Sequence, residues 1–191
     1  MQATEGLQHD HELIEDVLNA IAAQAEQVDR TGQVNTEFFH RALDFLKGFA
    51  DACHHGKEEG ILFPTLEDKG MPGESGPIGV MLADHEQGRG HLRAMTQALR
   101  DYQAGDTQAG ARLDEEARAY AVLMHAHIQK ENMVLFPMGE EILADAEKQD
   151  VVTRMNDFEE KIVGAGVHER YHALAHDLVR LAGAEEPKHA H

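Results

Sequence analysis

Apolar positions recur every three to four residues along most of the chain, and no stretch alternates with the period of two that a half-buried strand needs. Leu7, Ile14, Leu18, Ile21 and Ala25 form one stripe, and Phe39, Leu43, Leu46, Ala50 and Ile61 a second. Leu82, Leu92 and Leu99 form a third, and Leu113, Ala117, Tyr120, Met124 and Leu135 a fourth. The pattern predicts four long helices, over about Glu5 to Val28, Thr36 to Leu66, the residues after Gly79 to Tyr102, and Thr107 to Glu141. Turn signals separate them: the run ending at Gly32, the Gly/Pro-rich stretch from Lys69 to Gly79, and Gly105-Asp106. Asn35 or Thr36, and Asp106, are the candidate N-caps. Short connections between long helices predict an all-α fold, an antiparallel up-down four-helix bundle over residues 1–141. Residues 142–184 read as additional C-terminal helices packing on the bundle, broken at Gly164-Ala165-Gly166, and residues 185–191 as a flexible tail.

Two internal echoes cross this pattern. His54-His-Gly-Lys-Glu58-Glu-Gly-Ile-Leu-Phe-Pro64 in the second helix recurs in the fourth as His127-Ile-Gln-Lys-Glu131-Asn-Met-Val-Leu-Phe-Pro137. Asp10-His11-Glu12 in the first helix recurs as Asp84-His85-Glu86 in the third. The chain therefore reads as two helical hairpins, each giving one His from its first helix and His-x-x-x-Glu from its second. Such pairing predicts a pseudo-two-fold site between the hairpins.

Helical phase, about 100° per residue, tests which of these side chains face inward. His54 and Glu58 continue the stripe of the second helix, whereas His55 points away; His127 and Glu131 continue that of the fourth, whereas His125 does not. His11 and His85 fall on the inner faces of the first and third, with His9 and His91 outside. Phase and repeat thus select the same six residues. Four imidazoles and two carboxylates in an apolar core would be costly unless something satisfied them. A dinuclear metal centre does so: imidazole and carboxylate suit iron or manganese, and two carboxylates can bridge two ions. Residues at i and i+4 share a helical face, so His-x-x-x-Glu lets one helix give a terminal nitrogen and a bridging oxygen.

Composition narrows the setting. The net charge of −18 argues against nucleic acid or an anionic membrane as partner. No apolar run reaches the roughly 20 residues of a membrane span, and the first residues lack the basic start and apolar stretch of a signal peptide. The single cysteine, Cys53, makes no internal disulfide, which fits a reducing cytoplasm; at the edge of its stripe it reads as packing.

The paired His-x-x-x-Glu motifs followed by Leu-Phe-Pro, with a His on each partner helix, resemble the hemerythrin-like, or HHE cation-binding, proteins over roughly residues 5 to 140. The resemblance implies a non-haem di-iron centre with an oxo or hydroxo bridge, manganese or zinc being possible substitutes. It implies His11, His54, His85 and His127 as ligands and Glu58 and Glu131 as bridging carboxylates. The sequence departs from the oxygen carriers of the family, which have His-x-x-x-His in the third helix and an Asp ending the fourth-helix motif. Here the third-helix position is Arg89, either a hydrogen-bond donor behind the ligands or a long side chain reaching the bundle's end. The six-residue set looks more like the iron–sulfur-repair and nitric-oxide-response branch.

The function this implies is a di-iron protein binding or sensing a small diatomic or peroxide ligand, or iron itself, in stress response. The alternative is an enzyme reducing or disproportionating peroxide or nitric oxide, and the residues do not choose between them. A ferritin-like oxidase is disfavoured, because Glu37-x-x-His40 and Glu169-x-x-His172 lie at helix ends, off the stripes. His168, His172 and His176, spaced i, i+4, i+8, read as a solvated stripe, or else as a capping helix lending His168 or His172 to an open iron position. No protein partner is indicated.

Overall fold

A computed structural model describes residues 2–164 and 166–183, and every regular element among them is a helix. Helix α1 (Glu5–Thr31) ends at Gly32, whose left-handed φ of 68° lets its N–H bond the carbonyl of Val28. Helix α2 starts at Thr36 because the Asn35 side chain accepts the N–H of Phe38 at 3.1 Å. It runs on to Asp68 without a break, through α-helical Thr36–Phe45, π-helical Leu46–His55 and Glu58–Leu62, and α-helical Phe63–Asp68. Helix α3 (Pro77–Gln103) opens on a proline in its first turn, where the missing N–H has no partner to lose, and so starts before Gly79. Helix α4 combines α-helical Ala109–Lys130, π-helical Glu131–Leu135 and α-helical Phe136–Ile142. Asp106 does not cap it; its carboxylate accepts the N–H of Gln108 at 3.0 Å and closes the turn before the helix.

Ladders of side-chain pairs give the helix directions. Thr4–Glu140, His11–Asn132, Glu15–His125 and Asp29–Arg118 run α1 antiparallel to α4. His85–His127, His91–Glu116 and Asp101–Arg112 do the same for α3 and α4. His40–Gln103, Lys47–Thr96, Asp51–Arg89 and Glu59–His85 do so for α2 and α3. The apolar interior divides into two clusters along this bundle. One holds Leu18, Phe38, Phe45, Leu99, Leu113 and their neighbours; the other holds Leu7, Leu62, Phe63, Ile78, Leu135 and Phe136. The six selected residues form a polar layer where the two clusters meet on all four helices, with Ile128 of the first cluster next to His127. Leu82 is the stripe position that fails, being 38% exposed.

Past Ile142, helix α5 (Asp145–Phe158) continues as π-helical Glu159–Gly164, and α6 is Val167–Ala182. Helix α5 buries Val151 and Met155 in the second cluster, while α6 lies on α1 and α2 and adds Tyr171, Leu174 and Leu178 to the first. The expected tail, 185–191, lies outside the described residues. No helix among the described residues is long and apolar enough to cross a membrane.

Gly48 sets how closely α6 can approach. A Cβ there would stand 1.6 Å from the hydroxyl of Tyr171, a buried ring held against Phe45 and Phe49. Gly48→Ala should therefore destabilise the protein by about 1–3 kcal/mol, against the small gain a helical Gly→Ala change otherwise brings. Gly48→Ala with Tyr171→Leu should recover most of the loss in urea unfolding; no recovery would place the strain elsewhere.

Candidate metal centre

His11, His54, Glu58, His85, His127 and Glu131 converge in the polar layer, none more than 1% exposed. His11 comes from α1, His54 and Glu58 from α2, His85 from α3, and His127 and Glu131 from α4. Nε2 of His54 is 3.6 Å from Oε1 of Glu58, and Nε2 of His85 is 3.5 Å from its Oε2, so the two oxygens of this carboxylate face different imidazoles. Oε2 of Glu131 lies 3.1 Å from His11 Nε2 and 3.2 Å from His127 Nε2. Two overlapping sets of donor atoms result: His11, His54, Glu58 and Glu131 in one, and His55, Glu58, His85 and His127 in the other.

Three of the four rings are hydrogen-bonded at the opposite edge to a separate partner, and the fourth has a carboxylate near it. His54 Nδ1 donates to Asp10 at 3.2 Å, His85 Nδ1 to Glu59 at 2.7 Å, and His11 Nδ1 to Asn132 at 2.9 Å; His127 Nδ1 lies 3.5 Å from Asp84. The bonds to Asp10 and Glu59 place the proton of His54 and of His85 on Nδ1 and turn the lone pair of Nε2 to the interior. Nε2 of His85 and Nε2 of His127 lie within hydrogen-bond distance of each other, at 3.2 Å. Nε2 of His11 and His54 and all four oxygens of Glu58 and Glu131 have no hydrogen-bond partner in the protein, although buried donors and acceptors nearly always find one. A donor set of this kind fits cations: imidazole and carboxylate, unpaired, with rings oriented by carboxylates behind them.

Electrostatics agree. Burial lowers the pKa of His54 to about 4 against the opposing pull of Asp10, and it lowers His85 as well, so the rings stay neutral and able to ligate. Burial, then the charge of Glu131, pushes the Glu58 carboxyl well up, whereas the flanking His127 and His11 hold Glu131 low despite its burial.

The internal repeat reaches behind the rings. Asp10 of α1 receives Lys57 Nζ at 2.7 Å, and its counterpart Asp84 of α3 receives Lys130, so each repeated Lys pairs with the Asp that stands behind the repeated His. Glu59 and Asn132, which hold His85 and His11, also occupy equivalent positions, one after each Glu. Sequence reasoning recorded these Asp and Lys positions as part of the echo and assigned them no role. The repeat itself was the available signal.

His55 is the clear departure from helical phase. It is 5% exposed and its ring stacks on His85 at 3.8 Å. Its helix is π-helical over Leu46–His55, and closing each turn with an extra residue rotates His55 inward. His9, His91 and His125 stay out of the layer; His91 bonds Glu116 and His125 faces Glu15. Arg89 is a donor behind the candidate ligands: it bonds Asp51 and Glu59 at 2.8 Å each, and Glu59 in turn holds His85.

His168 does not approach the donor atoms. Its Nε2 lies 3.4 Å from Asp10, placing α6 one hydrogen bond behind His54, and His172 packs against it. His176 is exposed. A pocket of about 240 Å³, lined by Leu7, Asp10, Lys57, Met155, His168 and His172 among others, reaches Asp10 and none of the six.

The hemerythrin HHE cation binding domain model matches residues 2–139. Among curated proteins, the chain is similar to the uncharacterized proteins Mb2018 of Mycobacterium bovis and MT2051 and Rv1995 of Mycobacterium tuberculosis. Each is 22% identical over 162 residues, or 85% of this chain. The chain spans 63% of the length of these relatives. No solved structure matches it.

Proposed function

This chain belongs to the hemerythrin HHE cation-binding family, and from that premise we propose that it holds two iron ions and binds or senses a small diatomic or peroxide ligand. The reading rests above all on the unpartnered donor atoms of Glu58, Glu131, His11 and His54 at the meeting of four helices. His11, His54, Glu58 and Glu131 would hold one ion, and His85, His127, Glu58 and Glu131 the other. Bound iron would supply reversible redox change and an electrophilic position for oxygen, nitric oxide or peroxide. The chain's own contribution is orientation and exclusion of water. Asp10, Glu59 and Asn132 orient His54, His85 and His11 by hydrogen bonds, and Asp84 stands 3.5 Å behind His127. The apolar clusters on either side keep the layer dry, which strengthens every charge interaction in it. A stress-response role and a cytoplasmic location belong to the same reading, the latter supported by the single, buried Cys53 thiol.

The protein purified after growth with iron should contain about two iron ions per chain, with a visible charge-transfer spectrum that changes on adding nitric oxide or peroxide. One ion per chain or none would overturn the di-iron reading. Sustained consumption of peroxide or nitric oxide by the iron-loaded protein would replace ligand binding with catalysis.

A further inference from the structure

We infer that His55 is a ligand at one of the two metal positions only, that of His85 and His127, and that the two positions are therefore unequal. This rests on the dinuclear reading and adds to it a difference between the ions. A donor atom of His55 lies within 4.8 Å of those of Glu58, His85 and His127. The ring is stacked on His85 at 3.8 Å with an interplanar angle of 14°, and it meets His127 edge-on at 5.5 Å. Its Nδ1 is 3.5 Å from Asp51 but makes no hydrogen bond within the protein, a buried nitrogen left unpartnered.

The internal repeat shows that this is a local addition. The counterpart of His55 in α4 is Ile128, an apolar side chain 2% exposed. The surroundings change with it: Asp51 corresponds to Met124, Glu59 to Asn132, and Arg89 to Glu15. The two hairpins thus agree at the six shared donors and differ together around one of the two positions. At that position three imidazoles are available, and both His85 and His127 have anionic partners. At the other there are two imidazoles, and His11 is held by a neutral amide. More donors, and more basic ones, make the His85/His127 position the tighter and more fully coordinated.

The test is anaerobic titration of the metal-free full-length protein with cobalt(II), followed by calorimetry and by the visible bands of the bound ion. The wild type should bind two ions in resolved steps at least about tenfold apart. His55→Gln should weaken the tighter step by about 10–100-fold and leave the weaker one unchanged. Ile128→His removes no native ligand and should bring the two steps together by strengthening the weaker; far-UV circular dichroism verifies the fold of both variants. Two equal steps in the wild type, or a His55→Gln variant with unaltered constants, would overturn the inequality and leave the dinuclear centre standing. Fewer than two ions bound by the wild type would overturn the centre itself.

Discussion

Glu58→Leu should abolish binding of the second metal ion and, at the same time, raise the stability of the metal-free protein by about 1–4 kcal/mol. Without metal, Glu58 is a fully buried carboxyl whose two oxygens have no hydrogen-bond partner, and burial together with Glu131 pushes its pKa well up. A leucine of similar volume removes that cost and joins the two apolar clusters across the layer. Glu131→Leu should lose metal equally but gain less stability, because His11 and His127 lie 3.1 and 3.2 Å from its carboxylate and hold it charged. His125→Ala, at a half-exposed ring facing Glu15, should change neither quantity. Urea unfolding of the metal-free variants, with metal content measured alongside, separates the two effects. A metal-free Glu58→Leu protein weaker than the wild type would mean that the carboxyl is satisfied from within the protein and that the layer is structural.

The convergence of six side chains could be read from the sequence because repeat and helical phase are independent and agreed at each of them. His55 shows where phase fails. The 100° rule holds only while turns close from i to i+4, and Leu46–His55 closes from i to i+5. Each Leu-Phe-Pro echo did carry a trace of such turns. Proline crowds the carbonyl four residues back, and the π-helical turns Glu58–Leu62 and Glu131–Leu135 lie directly before the Phe-Pro pairs. Leu46–His55 precedes no proline, so its widening left no comparable mark. Asp10 was hidden differently. Its partners His54 and Lys57 are 44 and 47 residues away, and a pattern read one helix at a time cannot pair them. The role of α6 is invisible for the same reason: only the packed chain sets His168 against Asp10, 158 residues apart.

That arrangement makes Asp10 and Asp84 equivalent in the repeat and unequal in energy. Asp10→Ala should cost about 3–5 kcal/mol, because it strands the Lys57 ammonium at a site 4% exposed, with Glu159 at 3.3 Å as its remaining carboxylate partner. The change also frees His54 Nδ1 and the contact to His168 that helps seat α6. Asp84→Ala removes the corresponding partner of Lys130, but that lysine side chain is 40% exposed and water can replace the carboxylate, so the cost should stay below about 1 kcal/mol. Metal affinity should not follow this split. Each Asp stands behind one imidazole, His54 or His127, and each loss should weaken metal binding by about 10–100-fold. Asp10→Ala with Lys57→Met removes the stranded charge and should recover most of the stability while leaving the metal affinity low. Urea midpoints and metal competition on the same preparations measure both. Equal destabilisation by the two Asp substitutions would show that burial does not set the cost, and full metal affinity in the double variant would show that His54 needs no carboxylate behind it.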